Sequence, residues 1–441
     1  MIDIQNNLSY NELRWNLLSG NVTGIWDKNN FFLGSSSFPI MKYHYLTANF
    51  VNFEKFISKD MTKISYHLSG YGINFNETLV SFLGESAERY TYSLLPTILK
   101  DKVIFCSYNK IKYERKEDLV CELKYINSYY SQSETDNYIL PDDAIQWISM
   151  NSLIYPGKKV WMPLQLVTMY TESQFPNEKR YITSAVSTGT ACHESMEQSV
   201  ENALIEYLQI DSFNMWWYGG FEGEKLDIDI ERNISLWFRK QIVVKNFLSK
   251  FKVTFTDITF DKAIFIVLCE IESKDKGEKI SRYTVGVQGG YSLENSIYRS
   301  FMECLTVLEY NMNISWTDKE KFLSITEKTQ IINNLDDNVI FYSKFGKPNL
   351  KKNPKQAELK AELKVEKSTS LKELIRDLPR LSTYGAFLSI TPSEFTDMNL
   401  EISRVILPEL LSIHLPSYPP YYHIRYKELG GVINNLPHPI A

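Results

Sequence analysis

One local pattern occurs three times along this chain of 441 residues, and it restricts the possible folds more than any other feature. Each copy begins with β-branched and aromatic residues that favour a strand, continues through glycines, and ends in an amphipathic helical pattern. The copies read KISYHLSGYGINFNETLVSFLGESAERY, YITSAVSTGTACHESMEQSVENALIEYLQI and YTVGVQGGYSLENSIYRSFMECLTVLEY. They lie about a hundred residues apart, which excludes a solenoid. The sequence predicts an α+β fold with mixed or antiparallel sheets and three related strand–glycine loop–helix units around a central cleft.

The predicted helix of the second copy has an unusual polar face. Its polar residues are spaced three or four apart and form one stripe, and none of them is Lys or Arg, the usual residues of a solvated face. The stripe consists of Ser195, Gln198, Asn202, Glu206 and Gln209. Corresponding stripes contain Ser81, Glu85 and Glu88 in the first copy and Asn295, Arg299, Glu303 and Thr306 in the third.

A glutamate follows a glycine at a similar distance in all three copies. One glutamate on the polar side of a helix is usually solvated, but carboxylates that converge from several helices repel one another unless a cation lies between them. Mg²⁺, which is held by carboxylates and substrate phosphates, is the natural occupant of such a site. Arg299, one helical turn before Glu303, is placed to contact a phosphate. The glycine–glutamate pairs are Gly72 with Glu88, Gly189 with Glu206, and Gly286 with Glu303.

Several other classes of protein are poorly supported. The sequence contains no Walker A motif, kinase glycine loop, Rossmann fingerprint, GxSxG or HExxH. Its five cysteines form no CxxC pair, which argues against a structural zinc site or a disulfide framework, and nothing marks Cys192 as an activated nucleophile. The net charge of −5 argues against nucleic acid as a partner. No secretory signal and no membrane-spanning segment is evident, so we expect a cytoplasmic protein.

Five segments, in order along the chain, resemble the YcaO family. SFLGESAERYTYS is similar to the family signature SxxxExxER, and the second copy resembles the family's small-residue loop and glutamate-bearing helix. VGVQGGYSLENSIYRSFMEC resembles an element in which an arginine is followed four residues later by a glutamate. RVILPELLSIHLP and NLPHPIA resemble the late strand and the proline-rich C-terminus of azoline-forming members. The chain looks most like the stand-alone cyclodehydratases of the streptolysin S-type toxin group.

The resemblance implies an enzyme that binds ATP and Mg²⁺ in a cleft unlike that of a kinase. In azoline-forming members, a Cys, Ser or Thr side chain of a ribosomal precursor peptide attacks the preceding amide carbonyl. The oxygen of the adduct then takes the γ-phosphoryl group, and loss of phosphate leaves a thiazoline or oxazoline ring. Such chemistry needs Mg²⁺, its carboxylates and a nearby arginine where charge develops on phosphoryl oxygens.

The resemblance also assigns roles to individual residues. Glu85, Glu88, Glu206 and Glu303 would bind Mg²⁺, with Glu85 and Glu88 also contacting ATP. Ser81, Gln198 and Gln209 would contact the nucleotide, and Arg299 would act on the phosphates. In the tail, Pro437, His438, Pro439 and the C-terminal carboxylate of Ala441 would approach the site and assist proton transfer.

The chain departs from the family pattern at several positions. Gln209-Ile210 stands where many members have Glu-Arg, so one carboxylate and one cation are missing, and Gln198 stands where some members have Glu. Tyr71 replaces a common lysine, and the ending PHPIA lacks a third alternate proline. These departures keep two alternatives open: a YcaO enzyme that forms a thioamide or amidine, and a catalytically weak scaffold subunit.

We expect four regions: residues 1–60 as an N-terminal segment, 61–343 as the YcaO ATP-binding core, 344–372 as a charged surface linker or insertion, and 373–441 as the C-terminal part of the YcaO domain with its proline-rich tail. The first region resembles neither an E1-type domain nor a complete leader-binding winged helix. A separate leader-binding or E1-like partner, a precursor peptide with a leader, and a flavin-dependent dehydrogenase are therefore the expected partners. A homodimer is also compatible with the sequence.

Overall fold

The computed structural model describes residues 14–15, 18–19, 24–32, 41, 43–50, 67–129, 138–168, 175–182, 187–239, 241–275, 281–327, 331–332, 334–356 and 365–440. The strands are β1 (Trp26–Phe32), β2 (His44–Phe50), β3 (His67–Gly72), β4 (Val103–Ser107), β5 (Leu119–Val120), β6 (Ala144–Ser152), β7 (Lys159–Pro163), β8 (Thr190–His193), β9 (Glu224–Lys225), β10 (Phe251–Asp257), β11 (Phe265–Ser273), β12 (Tyr283–Gly290), β13 (Ala386–Ser389) and β14 (Glu401–Ile406).

The helices are α1 (Phe75–Leu99), α2 (Tyr108–Glu114), α3 (Leu123–Ile126), α4 (Leu164–Val167), α5 (Met196–Trp217), α6 (Ile230–Phe238), α7 (Gln241–Lys250), α8 (Leu293–Thr317), α9 (Lys319–Ser324), α10 (Asp337–Phe345), α11 (Leu371–Asp377), α12 (Ser393–Thr396) and α13 (Ile424–Glu428). Short 3₁₀ turns lie at Lys100–Lys102, Asn127–Tyr129 and Leu378–Arg380. Within the described ranges, no helix is long and apolar enough to cross a membrane.

Three sheets organise the described part of the chain. One has the order β1–β2–β3, and a second has the order β12–β11–β10–β9. The third has the order β5–β7–β6–β13–β14–β8, with β4 pairing to β6. The strands pair antiparallel, except that β5 runs parallel to β7. The predicted α+β class with mixed and antiparallel sheets is confirmed.

Helix α5 lies between two of the sheets, and its C-terminal half is buried on every side as a result. It packs against β14 and β8 of the seven-stranded sheet and against β12 of the four-stranded sheet. Every residue from Tyr207 to Trp217 is buried. A helix that is enclosed all round in this way belongs to the interior of a large fold. The polar stripe of α5 therefore runs from solvent into the core.

The other two unit helices cover the remaining sheets. Helix α1 packs on β3 and β2 and also touches β8, and α8 packs on β12 and β11. The N-termini of α5 and α8 are built alike. Ser195 and Ser292 are the N-caps, and their hydroxyls accept hydrogen bonds from the backbone N–H groups of Gln198 and Asn295, each at 3.3 Å. Such caps satisfy backbone donors that a helix leaves unpaired at its start.

In the first and third predicted units, a strand that contains the glycines precedes the long helix, although the described part of the first unit begins at His67. In the second unit Gly189 lies in a turn before β8, so the described strand follows the glycine, and residues 183–186 lie outside the described residues. The segment RVILPELLSIHLP, which resembles the family's late strand, begins within β14 (Glu401–Ile406). Of the segment 344–372, residues 357–364 lie outside the described residues. Asn353 in this segment is buried and donates hydrogen bonds to the carbonyls of Gly219 and Leu429. The proposed domain boundaries remain predictions.

Candidate active site

One glutamate from each of the three long helices is held by a backbone N–H of its own unit, from a strand in the first and third units and from the turn before β8 in the second. The backbone N–H of Ser69 donates to Oε2 of Glu85 at 2.8 Å, and the hydroxyl of Ser69 donates to the same oxygen. The N–H of Gly189 donates to Oε2 of Glu206 at 3.3 Å. The N–H of Val287 donates to Oε2 of Glu303 at 3.0 Å. The separations along the chain are 16, 17 and 16 residues, so the three units orient their carboxylates in the same way.

The pairing of Gly72 with Glu88 suggested by spacing is therefore wrong, because Glu85 is the equivalent of Glu206 and Glu303. Glu88, one turn further along α1, has a different partner. Its Oε1 accepts a hydrogen bond from the N–H of Cys192 in β8 at 2.9 Å. Glu88 thus connects the first unit to the second.

Close contact between strand and helix makes these hydrogen bonds possible. A Cβ atom on Gly70 would lie 2.4 Å from the carbonyl oxygen of Thr78 in α1, and one on Gly286 would lie 2.4 Å from that of Ser300 in α8. Gly189 has a φ of +82°, and a Cβ there would lie 2.4 Å from the carbonyl oxygen of Val405 in β14. Only glycine permits this approach without displacing backbone. The glycines noted in the sequence therefore bring the helices onto the strands that hold their glutamates.

The four glutamates concentrate negative charge in a partly buried region. Burial, together with the charge of Glu206, raises the pKa of Glu88 to about 8. Burial also raises the pKa of Glu206 to about 7, although Arg89 and the Gly189 N–H favour its ionised form. The pKa of Glu303 rises to about 7 by burial, against the hydrogen bonds from Gln288 and Val287. These carboxylates lack sufficient positive charge within the protein, which is the electrostatic condition for binding a cation.

Two arginines that the sequence reasoning did not assign lie beside these carboxylates. The Nε atom of Arg89 is 3.6 Å from Oε1 of Glu85, and its Nη1 donates to the hydroxyl of Ser187. Arg404 in β14 is buried and donates to the carbonyls of Val167 and Thr188. The signal for Arg89 was present, because it is the last residue of the SxxxExxER pattern. Arg404 gave no comparable signal, because a strand arginine is ordinarily exposed.

Arg299 has an exposed side chain on α8, one turn before Glu303. Its charge lowers the pKa of Glu303, so the two groups interact, and the predicted contact of Arg299 with a phosphate stays a prediction. Ser81 and Gln198 are also exposed on their helices, at the end of each stripe that faces solvent. Gln209 is buried, and both ends of its amide are hydrogen-bonded to the backbone of β12.

The tail residues occupy a closed environment at the C-terminal half of α5. His438 is fully buried, its Nε2 lies 2.9 Å from the carbonyl oxygen of His414, and its ring meets that of Phe213 edge-on. Burial lowers the pKa of His438 to about 4, so its ring is neutral at pH 7. The hydroxyl of Tyr342 donates to the carbonyl of Pro437. Pro439 is buried, and Ala441 lies outside the described residues.

No described contact joins His438 to Glu88, Glu206 or Glu303. The role of this tail in proton transfer therefore stays a prediction.

The donor set fits Mg²⁺ bound together with phosphates rather than a metal held by protein alone. Across the described ranges, no three acidic, histidine or cysteine side chains form a ready-made metal cluster. In the same ranges, Oε1 of Glu206 and Oε1 of Glu303 accept no hydrogen bond and stay free for a further partner. Mg²⁺ is usually bound by one or two carboxylates plus substrate phosphates and water. Separate, pre-oriented carboxylates are what such a site requires.

Comparison with known proteins identifies the family and the fold. The family model described as YcaO cyclodehydratase, ATP- and Mg²⁺-binding, matches residues 69–411. A search of curated proteins found no match. A solved structure of a heterocyclase in complex with substrate and cofactor is similar, with a TM-score of 0.64 and 15% identity, covering 98% of this chain and 57% of that chain. The present chain therefore spans little more than half the length of that protein.

Two structures of the E. coli microcin synthetase McbBCD complex are also similar. One has a TM-score of 0.57 and 13% identity, and covers 92% of this chain and 100% of the other. The second, with pro-MccB17 bound, has a TM-score of 0.56 and 14% identity, covering 94% and 100% of the respective chains. At these identities the likeness concerns the fold. The match of the family model over most of the sequence, together with this fold, shows that the chain belongs to the YcaO family of ATP- and Mg²⁺-binding cyclodehydratases.

Proposed function

We propose that this protein is an ATP-dependent cyclodehydratase that forms thiazoline or oxazoline rings from Cys, Ser or Thr residues of a ribosomal precursor peptide. The observation that carries the proposal is the threefold arrangement in which Glu85, Glu206 and Glu303 are each oriented by a backbone N–H of their own unit. Structural sites for a single cation do not need this repetition. A nucleotide with several charged phosphates does, because more than one Mg²⁺–phosphate contact must be supported.

The positions of the site residues suggest separate roles in binding the metal and the phosphates. When bound, ATP would supply the phosphoryl group that activates an amide oxygen of the peptide, and Mg²⁺ would neutralise the charge on the phosphate oxygens. Glu85, Glu88, Glu206 and Glu303 would hold the metal, and Glu85 would also position Arg89 through their 3.6 Å ion pair. Arg89 and Arg299 supply positive charge for phosphate oxygens. The exposed position of Arg299 leaves its guanidinium free to meet a ligand.

The expected partners follow from the same reasoning. A precursor peptide with a leader is the substrate, and a separate leader-binding or E1-like protein would deliver it. A flavin-dependent dehydrogenase would oxidise the azolines to azoles. The similarity to chains of the McbBCD complex, one of them with pro-MccB17 bound, supports a multi-protein complex of this kind.

The test is ATP consumption and peptide mass on a candidate precursor, with the partner proteins present. Glu206→Gln and Glu303→Gln should abolish both phosphate release and the loss of one water per ring, because each removes a charged metal ligand while keeping the size of the side chain. Glu197→Gln is the matched control, because Glu197 is exposed in the first turn of the same helix as Glu206. It should leave both readouts unchanged.

The mass also separates the alternatives. Replacement of oxygen by sulfur would indicate thioamide formation, and incorporation of an amine would indicate an amidine. Absence of substrate-dependent phosphate release from the wild-type complex would indicate a scaffold. Phosphate release that survives in Glu206→Gln and Glu303→Gln would show that the metal assignment is wrong.

A further inference from the structure

Gln209 stands where many family members carry a glutamate, and the structure gives its amide a use that a carboxylate cannot have. The Nε2 group donates to the carbonyl of Val287 at 2.6 Å. The Oε1 atom accepts from the N–H of Gly289 at 2.9 Å. The side chain is 7% exposed, so water does not substitute for these bonds. Gln209 therefore clamps α5 to β12 with one donor and one acceptor.

This clamp is directly connected to the carboxylates of the site. Val287, whose carbonyl accepts from Gln209, uses its own N–H to hold Oε2 of Glu303 at 3.0 Å. Glu206 lies one helical turn before Gln209 on α5. The packing is close at this point, because a Cβ on Gly289 would lie 3.2 Å from the side chain of Ile205 and 3.5 Å from that of Gln209. A single residue thus links the strand that orients Glu303 to the helix that carries Glu206.

We propose that Gln209 is a positioning residue that fixes the distance between Glu206 and Glu303, and that it is not itself a ligand of the nucleotide or the metal. This inference rests on the proposed function. On this inference, the change from the family's glutamate to Gln209 is more than the loss of a charge. The glutamine holds α5 against β12, where the glutamate would have been a ligand. A carboxylate at this position would face the Val287 carbonyl with no proton to donate unless it were protonated.

The test compares Gln209→Glu with Gln356→Glu. Gln356 is a matched control, because it is also 7% exposed and its amide also joins a backbone N–H and carbonyl, both of Glu222, at 2.8 and 2.7 Å. The melting temperature is measured at pH 5 and pH 8. The Mg²⁺ concentration that half-saturates binding of an ATP analogue with a β,γ-methylene bridge is measured at pH 8, where the carboxylates of the site are more fully ionised.

Both variants should melt below the wild type at pH 8 and recover at pH 5, where a protonated glutamate can again donate and accept. Only Gln209→Glu should also raise the Mg²⁺ midpoint at pH 8, by about tenfold or more, as loss of an outer-shell partner does. Gln209→Met, which lacks both hydrogen bonds and any charge, should raise the Mg²⁺ midpoint at pH 8, and its melting temperature should not recover at pH 5. It keeps the test valid if the glutamate variant does not fold.

A lower Mg²⁺ midpoint in Gln209→Glu would overturn the inference, since an added ligand tightens metal binding. An equal rise in Gln356→Glu would also overturn it, because the effect would then be one of general stability. If the wild-type chain binds no Mg²⁺–nucleotide, the proposed function fails. In that case the pH dependence of melting still decides whether the amide clamps β12.

Discussion

Replacing Gly189 by alanine tests whether the close approach of the second unit's loop to β14 determines both stability and the position of Glu206. Gly189 has a φ of +82°, where an L-residue costs about 1–2 kcal/mol. Its Cβ would also lie 2.4 Å from the carbonyl oxygen of Val405 and 2.8 Å from the ring of Tyr207. Forcing an atom into such a packed place costs about 1–3 kcal/mol more. We expect a total loss of about 2–5 kcal/mol in the free energy of unfolding.

Gly157→Ala separates the two contributions. Gly157 has a φ of +78°, but a Cβ atom on this residue would have no heavy atom within 4 Å. Its substitution should therefore cost only the backbone contribution, about 1–2 kcal/mol. Urea unfolding of the two variants and the wild type gives both values, and the difference between them measures the contact with β14.

The same pair of variants links stability to the site. Because the N–H of Gly189 orients Glu206, a displaced loop should weaken Mg²⁺-dependent nucleotide binding in Gly189→Ala and leave it unchanged in Gly157→Ala. Stability losses that agree within about 0.5 kcal/mol would refute the argument from close approach. Unchanged Mg²⁺ dependence in a folded Gly189→Ala protein would refute the argument that this loop sets the position of Glu206.

Three further predictions follow from buried charges. Lys262→Met should cost about 3–5 kcal/mol of unfolding free energy, because Lys262 is fully buried between two aspartates, whereas Lys110→Met on the surface should cost at most about 0.5 kcal/mol by the same urea assay. His423 and His438 are buried and neutral with pKa values lowered to about 4, so the unfolded chain binds more protons below pH 6.5, and each should remove up to about 3 kcal/mol of stability as the pH falls from 6.5 to 4. Because the raised pKa values of Glu88, Glu206 and Glu303 act in the opposite direction over the same window, the effect is measured as the difference in pH dependence between the wild type and the His423→Gln or His438→Gln variant, and identical profiles would contradict the prediction. The pKa of Glu88 is raised to about 8, so Mg²⁺–nucleotide binding at pH 7 should release protons, measurable by calorimetry in buffers of different ionisation enthalpy.

Local patterns were sufficient to predict the central helix but not the pairing within the first unit. The amphipathic pattern that predicts α5 depends only on residues close together in the chain, and the helix is present at Met196–Trp217. Glu85 and Glu88 lie three residues apart on one face of α1, so periodicity cannot distinguish them. Their roles are decided by which strand N–H faces each carboxylate, Ser69 or Cys192, and this depends on how α1 packs between two sheets.

Long-range contacts explain why the surroundings of Arg404 and Gln209 cannot be predicted from the sequence. The carbonyls that surround Arg404 belong to residues 237 and 216 positions away, so nothing near it in sequence indicates burial. The sequence shows Gln209 only as the absence of a carboxylate, because the strand whose backbone binds its amide lies 78 and 80 positions further along. In both cases the sequence gives the side chain but not its hydrogen-bonding partners.

The carboxylates on α5 show that this fold can neutralise a buried acid when no ligand is involved. Asp211 is fully buried, yet Arg425 and Lys262 overcome the effect of burial and bring its pKa below the ordinary value. Glu206, five residues earlier on the same helix, lies near Arg89 and Arg404 and still has its pKa raised to about 7. The side chains of Lys262 and Arg425 lie 2.7 and 2.9 Å from Oδ2 of Asp211, so this fold can place two cations beside a buried carboxylate. The smaller amount of positive charge beside Glu206 is therefore a property of the site itself. A carboxylate kept short of positive charge destabilises the free protein, and the missing charge is what a bound Mg²⁺ would provide.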